Sequence, residues 1–310
     1  MFKVNKEKCV GCKLCVKDCF LNDIEMIENK AYIRNETCFK CGHCIAICPQ
    51  NAVSTDDYNM DEVVEYNKEN FDIDSDNLLN FIIFRWTIRY FKDKDIEVDK
   101  IKKIIDAGRF TPTGGNLQNV SYIVIRDDID KLKAMAIETL NSMGEYVLNN
   151  LNLDNIDIKG YAKKWIRMHN EYKENPKNDS LFFNAPMVLI VASESDVNAS
   201  LASSNMELMA NTLGLGCLYS GFFVRATKEN DNIKKFLNID ENKNIITCMV
   251  IGFPSVKYQR VVPRKDADIT WRKNTLLYRK NLAIVIYGLF KISYLIMVAC
   301  FCAIIILSKI

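Results

Sequence analysis

Eight of the twelve cysteines of this 310-residue chain lie within its first 48 residues. They form two runs, Cys9, Cys12, Cys15 and Cys19, then Cys38, Cys41, Cys44 and Cys48, each spaced C-x2-C-x2-C-x3-C. The second run repeats the first 29 residues later, and Asn22 and Ile24 recur as Asn51 and Val53. Three thiolates two residues apart wrap one face of an iron–sulfur cube, and the fourth, followed by a turn, is aimed away from them. The alternative is a pair of four-thiolate zinc sites. Those pair their thiols as two C-x2-C knuckles divided by a spacer, which three successive cysteines do not fit well. His43 sits inside the second run, where all four positions are already filled, so it reads as a neighbour or surface residue and not a ligand. A module this small lacks apolar area to bury, and metal–ligand bonds would hold it folded.

A second set of residues could hold an anion. Arg85, Thr87 and Arg89 lie in FRWTIRYF (84–91), and the loop AGRFTPTGGNLQN (107–119) contains Pro112, Thr113, Asn116 and Gln118. Further on come LGLGCLYSGFF (213–223), with Gly221, and IGFPSVKYQRVVPRK (251–265), which ends in Arg264 and Lys265. Guanidinium forks and hydroxyls suit a phosphate dianion. Taken singly these motifs are weak: arginines near a helix usually form surface ion pairs, and Gly214-x-Gly216 reads as a helix C-terminal cap sooner than a nucleotide loop.

The elements that would position these residues follow from pattern. Val98, Ile101, Ile104, Ile105 and Gly108 recur at helical spacing, and a further helix spans roughly 198–213, stopping at Gly214. VSYIVI (120–125), MVLIVA (187–192) and IITCMVIG (245–252) are short runs fit for buried strands. Four segments result: a cysteine module over 1–55, a connector over 56–77, a compact domain over 78–275, and a tail over 281–310. The connector's stretch from Asp56 to Asp76 carries nine acids against Lys68, as a solvated linker or exposed helix would. In the tail, the 16 residues 292–307 are uncharged and would reach about 24 Å, short of a roughly 30 Å hydrocarbon core unless Lys291 is drawn in. The tail is expected to be a hydrophobic helix that anchors the chain to the membrane, or one buried against a partner subunit.

The cysteine module resembles a bacterial two-cluster ferredoxin, with Phe20 replacing the family's usual Pro after the fourth cysteine. The resemblance implies crossed ligation: Cys9, Cys12, Cys15 and Cys48 around one 4Fe-4S cluster, and Cys38, Cys41, Cys44 and Cys19 around the other. The motifs of the second domain, in their order, resemble the FMN-dependent nitroreductase family. That likeness implies Arg85, Thr87 and Arg89 on the flavin phosphate and ribityl chain, with Arg264 and Lys265 near the phosphate. It places Pro112, Thr113, Asn116 and Gln118 on a loop that closes over FMN from the other subunit, and Gly221 where backbone nears the flavin ring. Trp86 stands where the family often has Arg or His.

The expected architecture is thus α+β: a two-cluster ferredoxin-like module, a nitroreductase-like α+β domain that dimerises, and a C-terminal hydrophobic helix. The expected function is an FMN-dependent oxidoreductase in which two 4Fe-4S clusters relay electrons to FMN for reduction of nitroaromatic, quinone-like or other electron-poor small molecules. A non-catalytic redox relay or sensor is the alternative. Ferredoxin or NAD(P)H is the expected donor. No apolar leader precedes the cysteines, which suggests a reducing cytoplasm. The net charge of +2 argues against a polybasic nucleic-acid binder. His169, in the polar stretch WIRMHNEYKENPKNDS, reads as solvated on a mobile cap; Cys217, Cys248, Cys300 and Cys302 lack metal spacing.

Overall fold

The computed structural model describes residues 1–150 and 156–272. It divides into two units, 1–261 and 262–310. In the second, the described residues form no helix or strand and are exposed. The expected hydrophobic helix of 281–310 lies outside the described residues, and among those described no helix is long and apolar enough to cross a membrane.

At the N-terminus, β1 (Phe2–Val4) is followed by α1 (Leu14–Asp18), β2 (Ile24–Ile27), β3 (Lys30–Ile33), α2 (His43–Ala46) and β4 (Val53–Thr55). β2 and β3 form an antiparallel hairpin. Its two turn residues, Glu28 and Asn29, both have positive φ (49° and 61°), the turn geometry that matches the twist of paired strands. β1 pairs antiparallel with β4, so the beginning of the first repeat is bonded to the end of the second. The repeat is visible in the backbone as well as in the cysteines. Gly11 and Lys40, Lys13 and Gly42, and Asn22 and Asn51 each stand 29 residues apart, and all six are left-handed. At Gly11 a Cβ would meet the Asn29 carbonyl oxygen at 2.3 Å, so only glycine fits there.

The connector residues are mostly exposed and include α3 (Lys68–Phe71) and the start of α4 (Ser75–Ile83), which runs on into the next domain. Asp57 is the exception to a purely solvated reading: it takes the terminal ammonium at 2.8 Å and Lys40 Nζ at 2.9 Å. Those two cations hold its carboxyl well below the usual carboxylate range.

The larger domain then runs α5 (Val98–Arg109), β5 (Ser121–Ile125), α6 (Ile129–Asn150), α7 (Ile156–Glu174), β6 (Met187–Ser193), α8 (Asp196–Thr212), β7 (Gly216–Tyr219), α9 (Gly221–Glu229), α10 (Asp231–Phe236) and β8 (Asn244–Gly252). The strands make one antiparallel sheet in the order β5-β6-β8-β7. β6 is buried at every residue. Val188 and Ile190 face a core containing Leu140, Trp165 and Phe223, while Met187, Leu189 and Val191 face another containing Ile104, Ala199 and Met206. Helices therefore cover both faces of the sheet, which is why β6 reads as an unbroken apolar run and not as an alternating one. The α+β expectation holds, as do the helix over 98–108 and the three strands. α8 ends where Gly214 takes φ 74° and the Leu215 N–H returns to the Ala210 carbonyl at 3.0 Å, a left-handed helix stop.

His169 is a correction. It lies on α7, buried at 7% exposure, with Nε2 2.9 Å from Glu138 Oε2. The polar letters around it hid a helix face carrying Trp165 and Met168 into the core at 2% exposure each.

Candidate functional site

Two cavities occupy the N-terminal module. One is lined by Cys9, Cys12, Cys15 and Cys48, the other by Cys19, Cys38, Cys41 and Cys44. The chain achieves this exchange because β1–β4 pairing and the two short helices fold the repeats onto each other, carrying each fourth cysteine to the other run. Among the described residues no group of His, Cys, Asp or Glu side chains is gathered to hold a single metal ion. Each quartet instead surrounds a space, which a four-iron cube needs and one ion does not.

Backbone amides point at the sulfurs. The Asp23 N–H donates to Cys19 Sγ at 3.3 Å and Ala52 N–H to Cys48 Sγ at 3.3 Å, again 29 residues apart, while Lys40 N–H reaches Cys38 Sγ at 3.4 Å and Ala31 N–H reaches Cys9 Sγ at 3.5 Å. Donors of this kind stabilise the charge of a cluster held through those sulfurs. Asn22 and Asn51 make them possible, since each sits left-handed in the turn after the fourth cysteine. Burial raises the Cys15 thiol, with Cys12 and Cys48 adding to the effect. Burial together with Cys38 and Cys41 pushes Cys44 up to about 12. Such thiols stay protonated until a metal centre replaces the proton. The donor sets, the cavities and the aimed amides suit iron–sulfur clusters.

Asp23, at 1% exposure, also lines the second cavity. Burial opposes its charge, but N–H donors of Thr37 and Glu36, both at 3.2 Å, outweigh that and lower its pKa. The carboxylate thereby fixes the approach to Cys38. His43 is exposed and meets Asp18 at 3.3 Å, and Phe20 is 85% exposed where the other repeat has Pro49.

In the larger domain the segment 85–92 runs beside the sheet. Thr87 bridges to Cys217, Ile88 N–H donates to the Cys217 carbonyl at 3.0 Å, and Lys92 N–H to the Phe253 carbonyl at 2.8 Å. Gly216 is required at that contact, because a Cβ there would stand 2.3 Å from Ile88 Cγ1. Arg85 is half-buried, its Nη1 2.7 Å from Glu207 Oε2. Arg89 is exposed and forms no ion pair or hydrogen bond among the described residues. Trp86 stacks on Tyr258 with centroids 4.5 Å apart, and its indole Nε1 is buried without a partner among the described residues. Gly221 opens α9, and where its Cβ would stand there is open space. An orphaned indole donor, an unpaired arginine and an open glycine backbone suit a polar ring-bearing cofactor with a phosphate.

The loop 111–119 is pinned by α8. Asn205 Nδ2 donates to Thr111 Oγ1 at 2.7 Å, Asn198 Nδ2 to Asn119 Oδ1 at 3.0 Å, and Gly114 N–H to Asn198 Oδ1 at 3.3 Å. Glu207, which holds Arg85, is nine residues beyond Asn198 on the same helix, about 14 Å along it. One helix thus braces both the arginine segment and the loop. Within the loop Gly115, Asn116 and Gln118 are all left-handed, an uncommon conformation for the last two. It turns their side chains onto the cysteine module. Asn116 Nδ2 donates to the Phe39 and Lys40 carbonyls at 3.0 and 2.9 Å, and Gln118 Nε2 donates to Tyr58 Oη at 2.8 Å. Arg109 adds an ion pair to Glu62 at 2.9 Å.

Asn198, Asn205, Glu207 and Tyr58 carry no mark in the sequence. Their partners at the site lie 58 or more residues away, and no local spacing points to them. Arg264 and Lys265 belong to the second unit, where both are exposed. Burial pushes the Cys217 and Cys248 thiols up, in keeping with packed, unreactive cysteines.

Comparison with known proteins agrees with this division. The family model described as the nitroreductase family matches residues 82–253, and a 4Fe-4S dicluster domain matches 1–67. The cysteine module is similar to part of an ion-translocating oxidoreductase complex protein of Methanosarcina acetivorans, 49% identical over 45 residues, or 14% of this chain and 17% of that protein. An NADPH-dependent oxidoreductase of Staphylococcus haemolyticus is 27% identical over 185 residues, or 58% of this chain. The chain spans 66% of that relative's length. Among solved structures, a nitroreductase with bound FMN from Bacteroides fragilis is 17% identical, with a TM-score of 0.49 covering 63% of this chain and 98% of that one. The expected cofactor classes, a flavin for the larger domain and 4Fe-4S clusters for the smaller, accord with these matches. The chain belongs to the nitroreductase family and carries a 4Fe-4S dicluster domain at its N-terminus.

Proposed function

We propose that this chain is an oxidoreductase that uses FMN and two 4Fe-4S clusters to reduce electron-poor small molecules of the nitroaromatic or quinone-like class. The observation that carries the reading is the crossed lining of the two cavities by the two cysteine runs, directly ahead of a nitroreductase-family domain. Cys9, Cys12, Cys15 and Cys48 would hold one cluster, and Cys19, Cys38, Cys41 and Cys44 the other. FMN, when bound, supplies the conversion between one-electron and two-electron chemistry.

The residues of the chain bind and orient it. Arg89, unpaired among the described residues, brings a guanidinium fork to the phosphate, with Thr87 as hydroxyl donor. Arg85 is held in place by Glu207, a charge-assisted contact that fixes its plane. Pro112, Thr113, Asn116 and Gln118 form the loop that closes over the flavin of the other subunit of a dimer, and Gly221 lets backbone approach the ring. Both ferredoxin and NADPH fit as donors, the first from the cluster domain and the second from the activity named for the Staphylococcus relative. A homodimer fits the surface: α4 leaves Leu79 and Ile83, and beyond it Phe84, about half exposed, and a second copy would cover them.

The test is reconstitution followed by turnover. The loaded chain is expected to contain about eight irons per chain together with FMN, and its chemically reduced flavin is expected to be reoxidised by nitroaromatics or quinones far faster than by buffer under argon. A reduced flavin that no small acceptor reoxidises above the buffer rate overturns the enzyme reading in favour of a relay to a protein partner.

A further inference from the structure

The two cysteine quartets are not equivalent toward the larger domain. Asn116 donates to the carbonyls of Phe39 and Lys40, the two residues between Cys38 and Cys41. Lys40 in turn gives its N–H to Cys38 Sγ at 3.4 Å. Two hydrogen bonds therefore join the sulfur of Cys38 to the side chain of Asn116. Gln118 closes the contact from the other side through Tyr58, which also lies within 3.4 Å of Asn116 Nδ2. Among the described residues, no hydrogen bond or ion pair links residues 9–15 to the larger domain. The repeat shows how the asymmetry is built. The position of Lys40 is occupied in the first run by Gly11, which packs against the Asn29 carbonyl of the β2–β3 turn, whereas Phe39 and Lys40 give their carbonyls to Asn116.

We propose that electrons leave the iron–sulfur module from the quartet Cys19, Cys38, Cys41 and Cys44, across the Cys38–Cys41 loop to the Thr113–Gln118 loop, with Asn116 and Gln118 as the positioning residues. The quartet Cys9, Cys12, Cys15 and Cys48 is then the entry side. The inference rests on the reading of the larger domain as a flavin domain fed by clusters. Each crossing oxidises the exit cluster by one electron and reduces FMN by one; two crossings and two protons from solvent give fully reduced FMN. Placement of this kind matters because small displacements between reacting partners are costly in rate.

The test uses the full chain loaded with clusters and FMN, reduced anaerobically by methyl viologen radical and followed at cluster and flavin wavelengths. Asn116→Asp keeps the side-chain size but removes both donated bonds. It is expected to slow the cluster-to-flavin phase by roughly tenfold to a hundredfold while leaving cluster reduction unchanged, and to raise hydrogen exchange at the amides of 113–118 without unfolding the chain. Cys48→Ala is expected to keep a cluster-to-flavin phase and Cys41→Ala to abolish it. The reverse pattern, with the phase kept in Cys41→Ala and lost in Cys48→Ala, overturns the assignment of the exit quartet. Unchanged exchange and an unchanged phase in Asn116→Asp overturn the role of the loop. A wild-type chain with no such phase at all instead removes the relay reading on which the inference rests.

Discussion

Replacing Cys48 with alanine is expected to halve the iron content, from about eight to about four per chain, although the residue sits in the second cysteine run. The lost iron belongs to the cavity that Cys48 shares with Cys9, Cys12 and Cys15. Pairing variants makes the crossing measurable. In Cys12→Ala with Cys48→Ala both changes strike one cavity, so about four irons should remain. In Cys41→Ala with Cys48→Ala the two cavities each lose a ligand, and iron should fall toward zero. If each run instead held its own cluster, the first pair would empty both sites and the second only one. Iron analysis with absorption spectra after reconstitution separates the two. Because cluster bonds replace core area in a module of this size, each loss should also loosen the fold around it, which hydrogen exchange at β1 and β4 would report.

The second large effect is expected far from the cysteines. Asp179 is wholly buried at its side chain and takes Lys133 Nζ at 3.1 Å. It also accepts N–H bonds from Leu181 at 3.0 Å, Phe182 at 2.8 Å and Asn184 at 3.1 Å. Those bonds hold a loop in which Phe183 and Asn184 are left-handed, at φ 57° and 52°, and whose Leu181 carbonyl accepts from Ser220 Oγ at 3.2 Å, beside Gly221. Asp179→Ala strands three amides and leaves the Lys133 ammonium with Asp130 alone, at 2.9 Å. Removing one partner of a buried pair costs about 3–5 kcal/mol, and urea unfolding should show it. A loss under about 1 kcal/mol, the worth of an exposed pair, would contradict the account.

The pH dependence of this pair has a definite sign. Burial by itself would lower the Lys133 pKa, but the contacts to Asp130 and Asp179 outweigh it and leave the pKa raised above 10.5. A raised pKa gives stability that is present in full below the ordinary lysine value and is lost as pH rises through the folded one. The gap between wild type and Asp179→Ala should therefore be constant at neutral pH and narrow only in strong alkali.

Much of this was legible in the residues themselves. The repeat of 29 predicts the two quartets, and the matched left-handed turns at Asn22 and Asn51 are its backbone counterpart. The apolar runs around Met187 and Ile245 are strands because both faces of the sheet are covered, which removes the alternation an exposed sheet would print. The helix at Val98 and its stop signals follow from period and glycine chemistry. What the letters could not carry was distance between segments. Asn198 and Asn205 sit in a helix of small residues and look like filler until the fold sets Thr111 and Asn119 against them. Tyr58 lies in an acidic stretch that reads as solvated, yet its hydroxyl receives Gln118. His169 misled because its neighbours are polar in order along the chain, whereas the helix turns Trp165 and Met168 to the same buried side.

The central claim is that the N-terminal module feeds the flavin of the nitroreductase domain. The direct measurement is anaerobic mixing of the fully loaded protein with reduced ferredoxin, recording cluster and flavin absorbance in the same trace. The account predicts that the clusters are reduced first and the flavin bleaches completely in a following phase whose rate does not depend on ferredoxin concentration. Reduced clusters beside a flavin that stays oxidised would contradict it.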